Sequence, residues 1–354
     1  MRRNSSTSSS RRQAKRWALL LGLVLLGLLL VDATLVWYTQ YRVSAEAYTE
    51  EVSAKAKHMR LRLAGKRADI IFVGSSRTLY HVSTADFERA GWTVYNYGLS
   101  GHQIASYPSM VEAAARLKPA TIAIGVTITS FDDDAIEVPS SPSLTDLRAL
   151  AATGQSPRLL AATAGAWLGS LHALNYYSEI INLRVRPVFE RLDRPLAPQS
   201  APPGGGAPGQ AAVAAAPGEV CDCKTFGLRP HRKARIYKCT NGDAILFGNF
   251  GLEPSDEAFV WKGFHAPYLA LLNHCLDLAR AQGVRPVVYL EPRHAFKGDY
   301  DLAAIRAAIH APVLDFTRLE LPDAMWANSE HLNDAGRHVF SAALAEAFAA
   351  LPAP

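Results

Sequence analysis

"IIFVGSSRTLYHV", Ile70 to Val82, decides how the rest of the chain is read. Its first half is a continuous apolar run that stops at Gly74, the pattern of a strand buried on both faces. Two serines and an arginine follow at once. A strand ending this way either turns into a capped helix or presents a nucleophile at the edge of a sheet. Ser75 and Ser76 suit both, since a serine hydroxyl can cap a helix or attack a carbonyl. The choice depends on what else in the chain can meet them.

Working outward, the same kind of run recurs. "ADIIFVG" (68–74), "TVYNYG" (93–98), "ATIAIGVTI" (120–128), "RPVVYLEP" (285–292) and "APVLDF" (311–316) read as five strands. Helical segments separate them: "FERAGW", "SYPSMVEAAARLKP" and "PYLALLNHCLDLARAQG", the last stopped by Gly283. The chain closes on "DAGRHVFSAALAEAFAAL", whose apolar positions 339/340, 343/344, 347/348 and 351 recur at helical spacing. Asn333 or Asp334 would cap that helix. Apolar strands alternating with helices predict a parallel sheet covered on both faces, an α/β fold.

The 354 residues carry a net charge of +5, unevenly placed. Arg2, Arg3, Arg11, Arg12, Lys15 and Arg16 fall in the first 16 residues with no acid among them. Setting these six aside, 31 of the 37 basic residues face 32 acidic ones, so the body is near neutral and gives no reason to expect nucleic acid. Beside the basic tail lies "WALLLGLVLLGLLLVDATLVWY", Trp17 to Tyr38, about 22 residues with Asp32 as the one charge. That length suits a membrane-spanning helix, with Trp17, Trp37 and Tyr38 at the interfaces. No small-x-small cleavage site follows it, so it reads as a retained anchor rather than a signal peptide. The basic end predicts a cytoplasmic N-terminus and a main domain outside the inner membrane of a bacterium, in the periplasm.

The implied map is a cytoplasmic tail over 1–16, a transmembrane helix over 17–38 and a polar, helical stalk over 39–67. The α/β domain follows, built from 68–131 and 261–354. An insertion over 132–260 holds a Pro/Gly/Ala-rich linker, 195–218, with nothing to fold around. "CDCKTFGLRPHRKARIYKC" clusters Cys221, Cys223 and Cys239, while Cys275 stands alone. With His231 the cluster makes only a weak zinc pattern. In an oxidising compartment a disulfide from Cys239 to Cys221 or Cys223 is expected instead.

In an open parallel sheet, sites gather beyond the carboxyl ends of the strands. Those ends hold Gly74-Ser75-Ser76-Arg77, then "NYGLSGHQ" with Gly98, Gly101 and His102, and "EPRHA" with Glu291, Arg293 and His294. "NSEHLNDAG" puts His331 just ahead of the last helix. A serine needs a base, and histidine is the usual one. The negative charge that develops needs N–H donors, which a glycine-rich turn can offer. "FDDDA" after the third strand reads as a solvated loop; no metal or organic cofactor is implied.

These residues resemble the SGNH (GDSL-type) hydrolase superfamily, in its membrane-anchored branch of cell-surface polymer O-acetylation and teichoic acid D-alanylation proteins. The resemblance covers about 68–128 and 263–351. It implies a flavodoxin-like three-layer α/β/α domain, with Ser76 as nucleophile, Gly101 as an oxyanion glycine and His331 as base. The family's acid, three residues before the histidine, is Asn328 here, which can orient an imidazole but cannot stabilise an imidazolium by charge. Asp315 and Asp323 are other candidates for that place. The family's third-block asparagine has no match, and Thr127 stands nearest. Arg77, His102, Thr127 and His294 are the candidate substrate-binding residues. The resemblance implies an O-acyltransferase or esterase acting on a cell-envelope glycan, with a membrane-bound acyl-transfer partner. The competing readings are a catalytically inactive scaffold that binds glycan or a membrane partner, and an assembly factor working through the insertion.

Overall fold

The computed structural model describes residues 7–41, 43–49, 51–132, 136–170, 220–231, 234–249, 251–252 and 259–352. The expected linker over 195–218 and two acids of "FDDDA", at 133 and 134, lie outside them. The chain forms two compact units. One comprises Met1–Arg42 with Leu168–Pro203, the other Val43–Trp167 with Gly204–Pro354.

In the first unit, α1 (Thr7–Tyr41) is one continuous helix, and its leucines from Leu19 to Leu30 are exposed. Among the described residues no helix is long and apolar enough to cross a membrane. The expected span, Trp17–Tyr38, falls within α1; Asp32 and the side chains at 35–38 lie outside the described residues.

The second unit is built on a five-stranded parallel sheet. Its strands are β1 (Ile70–Gly74), β2 (Val94–Gly98), β3 (Thr121–Val126), β8 (Arg285–Leu290) and β10 (Val313–Asp315), in the spatial order β10-β8-β3-β1-β2. Numbered by chain order alone the sheet runs 2-1-3-4-5, a doubly wound order. All five are the apolar runs read from the sequence.

Alternation along each strand explains why both faces are covered. Ile71, Val73, Tyr95, Tyr97, Ile122, Ile124 and Val288 point one way. They meet α2 (Val52–Arg62), α5 (Tyr107–Ala115), α6 (Leu144–Ala152) and α8 (Ala266–Ala281). Ile70, Phe72, Val94, Ala123, Val287 and Tyr289 point the other way. They meet α4 (Thr84–Arg89) and the closing helix α10 (Asp334–Ala350). The Phe72 ring sits between Phe87 and Phe348, at centroid distances of 5.0 and 6.1 Å. Asn333 caps α10 by accepting from the Gly336 N–H at 3.2 Å. The short α3 (Ser76–His81), α7 (Pro157–Ser170), α9 (Leu302–Ala308) and the two-residue pair β7 (Phe259–Val260) and β9 (Gly298–Asp299) complete the connections.

Two stretches depart from the sequence map. The expected stalk is part of the core: Val52, Met59 and Leu63 are buried against the sheet's helices. The polar residues among them hid this, because they too are buried. Lys55 is fully enclosed and donates to the Gly98 carbonyl at 2.6 Å and the Gly242 carbonyl at 2.8 Å, with the Tyr48 ring 5.0 Å away. His58 bonds the Tyr95 hydroxyl at 2.6 Å and is held neutral, its pKa pushed down to about 3 by burial.

The expected insertion over 132–260 holds secondary structure that the sequence map did not assign. It contributes an antiparallel sheet, β4 (Thr225–His231), β5 (Ala234–Cys239) and β6 (Ala244–Phe247), that packs on α3 and α10. A disulfide joins Cys223 to Cys239 within it. The buried Arg337 of α10 reaches Asp243 at 3.4 Å and Asp334 at 3.1 Å, and also bonds Asp222. Asp243 accepts in turn from the N–H and hydroxyl of Thr84, each at 3.0 Å. A buried guanidinium needs such paired carboxylates, and removing one leaves a charge stranded.

Candidate active site

At the carboxyl edge of the sheet β1 gives way directly to α3. Ser75 and Ser76 divide the two tasks the sequence left open. Ser75 is the cap, its hydroxyl accepting from the Arg77 N–H at 3.2 Å. Ser76 opens the helix and faces His331: its Oγ lies 2.9 Å from His331 Nε2. Both keep part of their surface in solvent. The location is the point where the sheet reverses its winding, between β1 and β3, where ligands enter open α/β sheets.

α3 approaches the sheet closely because β2 ends in glycine. A Cβ on Gly98 would stand 2.4 Å from the Leu79 nitrogen of α3. Beside it Asn96, which the sequence reading passed over, ties the helix down. Its amide donates to the carbonyls of Thr78 (3.0 Å), Leu79 (3.3 Å) and Val82 (3.3 Å), and its oxygen accepts from the Gly98 N–H at 2.9 Å. The signal was a lone polar residue inside an otherwise apolar strand, and that is the one trace it left.

His331 is oriented from behind by Asn328. The Asn328 Oδ1 accepts from the backbone N–H of Glu330 (2.9 Å) and of His331 (2.8 Å) and lies 3.2 Å from His331 Nδ1. Two backbone donors converging on one atom identify it as the oxygen, so Nδ1 must donate and Nε2 is the free acceptor facing Ser76. The tautomer a general base requires is thus set without a carboxylate. The Tyr80 ring meets the imidazole edge-on at 5.2 Å. Burial, with the nearby Arg77 charge, pushes the His331 pKa down to about 3, so the ring is neutral at ordinary pH.

The two other candidate acids bond elsewhere. Asp315 accepts from the Tyr300 hydroxyl at 2.6 Å and from the Thr317 N–H and hydroxyl. Asp323 meets His294 Nε2 at 2.9 Å, and His294 is largely buried with its ring against Trp326. The contacts of His294 are thus with Asp323 and Trp326 rather than with Ser76 or His331. His102 is buried just past the β2 turn. Gly101 is exposed in that turn at φ +73, a left-handed conformation that suits glycine, and its carbonyl accepts from Ser140 Oγ at 3.0 Å.

Thr127, at the end of β3, is buried with its hydroxyl engaged. It accepts from Arg77 Nη1 at 2.7 Å and sits 3.4 Å from Glu291 Oε2. Glu291 is enclosed at the end of β8, and Thr78 donates to its other oxygen at 2.7 Å. Burial pushes the Glu291 pKa up to about 7 against the opposing pull of Arg77. Arg77 continues outward to an ion pair with Glu330 at 3.2 Å. Among the described residues no group of three His, Cys, Asp or Glu side chains converges to hold a metal.

Comparison with known protein families, with curated proteins and with solved structures gave no match for this chain. What can be said of its chemistry comes from the site itself. Ser76 and His331 stand in hydrogen-bond reach, with the Asn328 amide oxygen behind the imidazole, a geometry compatible with covalent acyl transfer.

Proposed function

We propose that the chain is a membrane-anchored O-acyltransferase or esterase of SGNH type, acting on a cell-envelope polysaccharide outside a bacterial inner membrane. The observation that carries the chemistry is the 2.9 Å contact between Ser76 Oγ and His331 Nε2, with Asn328 Oδ1 fixing the other ring nitrogen. Ser76 attacks the acyl carbonyl as His331 accepts its proton. Backbone N–H groups at Ser76 and in the Gly101 turn receive the oxyanion. His331 then returns the proton to the departing oxygen, and the acyl group passes from Ser76 to a sugar hydroxyl or to water. Neither a metal nor an organic cofactor enters these steps.

The anchor reading draws on the basic tail ahead of α1, the apolar stretch from Trp17 to Tyr38 and the exposed leucines along the helix. On this reading the acyl donor is a membrane-bound partner, as the family resemblance implies. A rival reading, a catalytically inactive scaffold that binds glycan or a membrane partner, draws on the uncharged amide behind His331 and on Thr127 standing where the family's third-block asparagine would be. Covalent labelling separates the two. A fluorophosphonate probe should modify Ser76 in the full chain held in detergent or native membranes, and Ser76→Ala and His331→Ala should each abolish it. Unlabelled Ser76 in native membranes would favour the scaffold.

A further inference from the structure

We propose that the Nε–Nη2 edge of Arg77 receives an anionic group, a carboxylate or a phosphate, carried by the ester substrate, and that Glu330 is its resident stand-in. The proposal rests on Ser76 being the nucleophile and adds the class of molecule that reaches it. Arg77 pairs with Glu330, the residue before His331, and its charge helps lower the His331 pKa, so its guanidinium lies within electrostatic reach of the base that faces Ser76. The inner end of the guanidinium is fixed, since Nη1 donates to Thr127 Oγ1 at 2.7 Å next to the buried Glu291.

The outer edge is incompletely used. A guanidinium offers Nε and Nη2 as parallel donors, and a carboxylate or phosphate normally takes both. Glu330 meets Nη2 at 3.2 Å, while Nε is buried and has no hydrogen-bond partner among the described residues. The backbone explains why Glu330 does not close on both. Its N–H is held by Asn328 Oδ1 at 2.9 Å and its carbonyl by His81 Nε2 at 3.1 Å. Glu330 therefore stays at arm's length. Its side chain is 54% exposed against 15% for Arg77, so the pair is screened by water and readily exchanged. An incoming anion with free geometry can do what Glu330 cannot, and satisfy Nε and Nη2 together.

The test uses glucose, glucuronate and glucose 1-phosphate as probes on the full chain in detergent. Each is titrated as a protectant against fluorophosphonate labelling of Ser76. In wild type one or both charged sugars should protect at about 10-fold lower concentration than glucose, and their order tells carboxylate from phosphate. Glu330→Gln should lower the protecting concentration of the charged sugar further, by about 5–10-fold. Arg77→Lys keeps the charge but lacks the paired donors, and should erase most of the preference. Equal protection by all three sugars in wild type and Glu330→Gln would overturn the proposal. An unchanged Glu330→Gln beside a crippled Arg77→Lys would remove the stand-in role. The same sugars are also followed by thermal unfolding of Ser76→Ala, which cannot be labelled. A shift there with charged sugars alone upholds the anion fork even if wild type is never labelled, which would count against the nucleophile instead. No shift there, with wild-type labelling intact and indifferent to charge, would remove the fork and leave the nucleophile.

Discussion

Replacing Asn328 by aspartate changes one atom of the site, and its effect can be worked out from the contacts around it. The Oδ1 oxygen keeps its two backbone donors and its place 3.2 Å from His331 Nδ1, so the fold and the tautomer stay as they are. What is added is a negative charge against a developing imidazolium. At about 3–4 Å and an effective dielectric near 20, the attraction is roughly 4–5 kcal/mol. His331 is partly exposed, and solvent screening reduces this to about 2 kcal/mol. That corresponds to a His331 pKa raised by about 1.5 units and a rate gain of about 30-fold. The gain is far below the ~10⁴ lost when a serine protease triad exchanges Asp for Asn, because much of that loss reflects a wrong tautomer, and here the tautomer is already right. The assay is the second-order rate of Ser76 labelling from pH 3 to 9, with a nitrogen-15 NMR titration of the imidazole. Wild type should label at a constant rate down to pH 4, since its histidine titrates near 3 and stays a free base above that. In Asn328→Asp the plateau should be higher and break between about pH 4 and 6. If the rate and the titration both stay at wild-type values, the electrostatic account of this site is wrong.

Other consequences are open to direct measurement. The Glu291 carboxyl keeps its proton in the folded state to about pH 7, whereas the unfolded chain releases it near 4.5. Stability should therefore fall as pH rises through that window, by on the order of 2–3 kcal/mol from this group. Denaturant titrations of Glu291→Gln should show the slope flattened, and an unchanged slope would count against a buried protonated acid. Non-reducing peptide mapping should recover Cys223 linked to Cys239, and Cys239→Ser should cost about 3 kcal/mol for a link spanning 16 residues; free thiols at both positions in protein from an oxidising compartment would rule the link out. Asn96→Ala strips buried carbonyls of their donor and should destabilise by at least ~2 kcal/mol while slowing Ser76 labelling. A normal labelling rate in that variant would mean that α3 holds Ser76 in place unaided.

The strands were legible because a sheet covered on both sides demands unbroken apolar runs, and the five runs have few other uses. The Ser76–His331 pairing was legible as residue types at a strand end and a helix start, though only coordinates could show that Ser75 takes the capping role. Residues 39–67 read as a stalk, and the burial of part of that stretch was hidden for a physical reason. A buried lysine and a buried histidine look like solvent residues in a sequence, and they masked the apolar stripe of Val52, Met59 and Leu63. The antiparallel sheet over 225–247 was missed because its strands are short and follow a Pro/Gly/Ala-rich stretch, and only the cysteines marked it. Asn328 was weighed for the one role of orienting the base. In the structure its oxygen also closes the turn that carries His331, and spacing alone does not reveal that double use.

The enclosed ammonium of Lys55 has a practical corollary for anyone trimming this protein. It fastens the segment after α1 to the Gly98 carbonyl, at the root of the Gly101 turn, and to the tip of the β5–β6 hairpin at Gly242. A fragment beginning at residue 68, where the first strand of the sheet comes into view, would lose this fastening together with Val52, Met59 and Leu63. Two carbonyls and a greasy flank of the sheet would be left open. The shortest secretable piece with an intact reactive edge should instead start at Val43, where the second compact unit begins. Seen this way, 43–62 is the keystone of the fold's outer wall, and length lost from it should be felt at the serine.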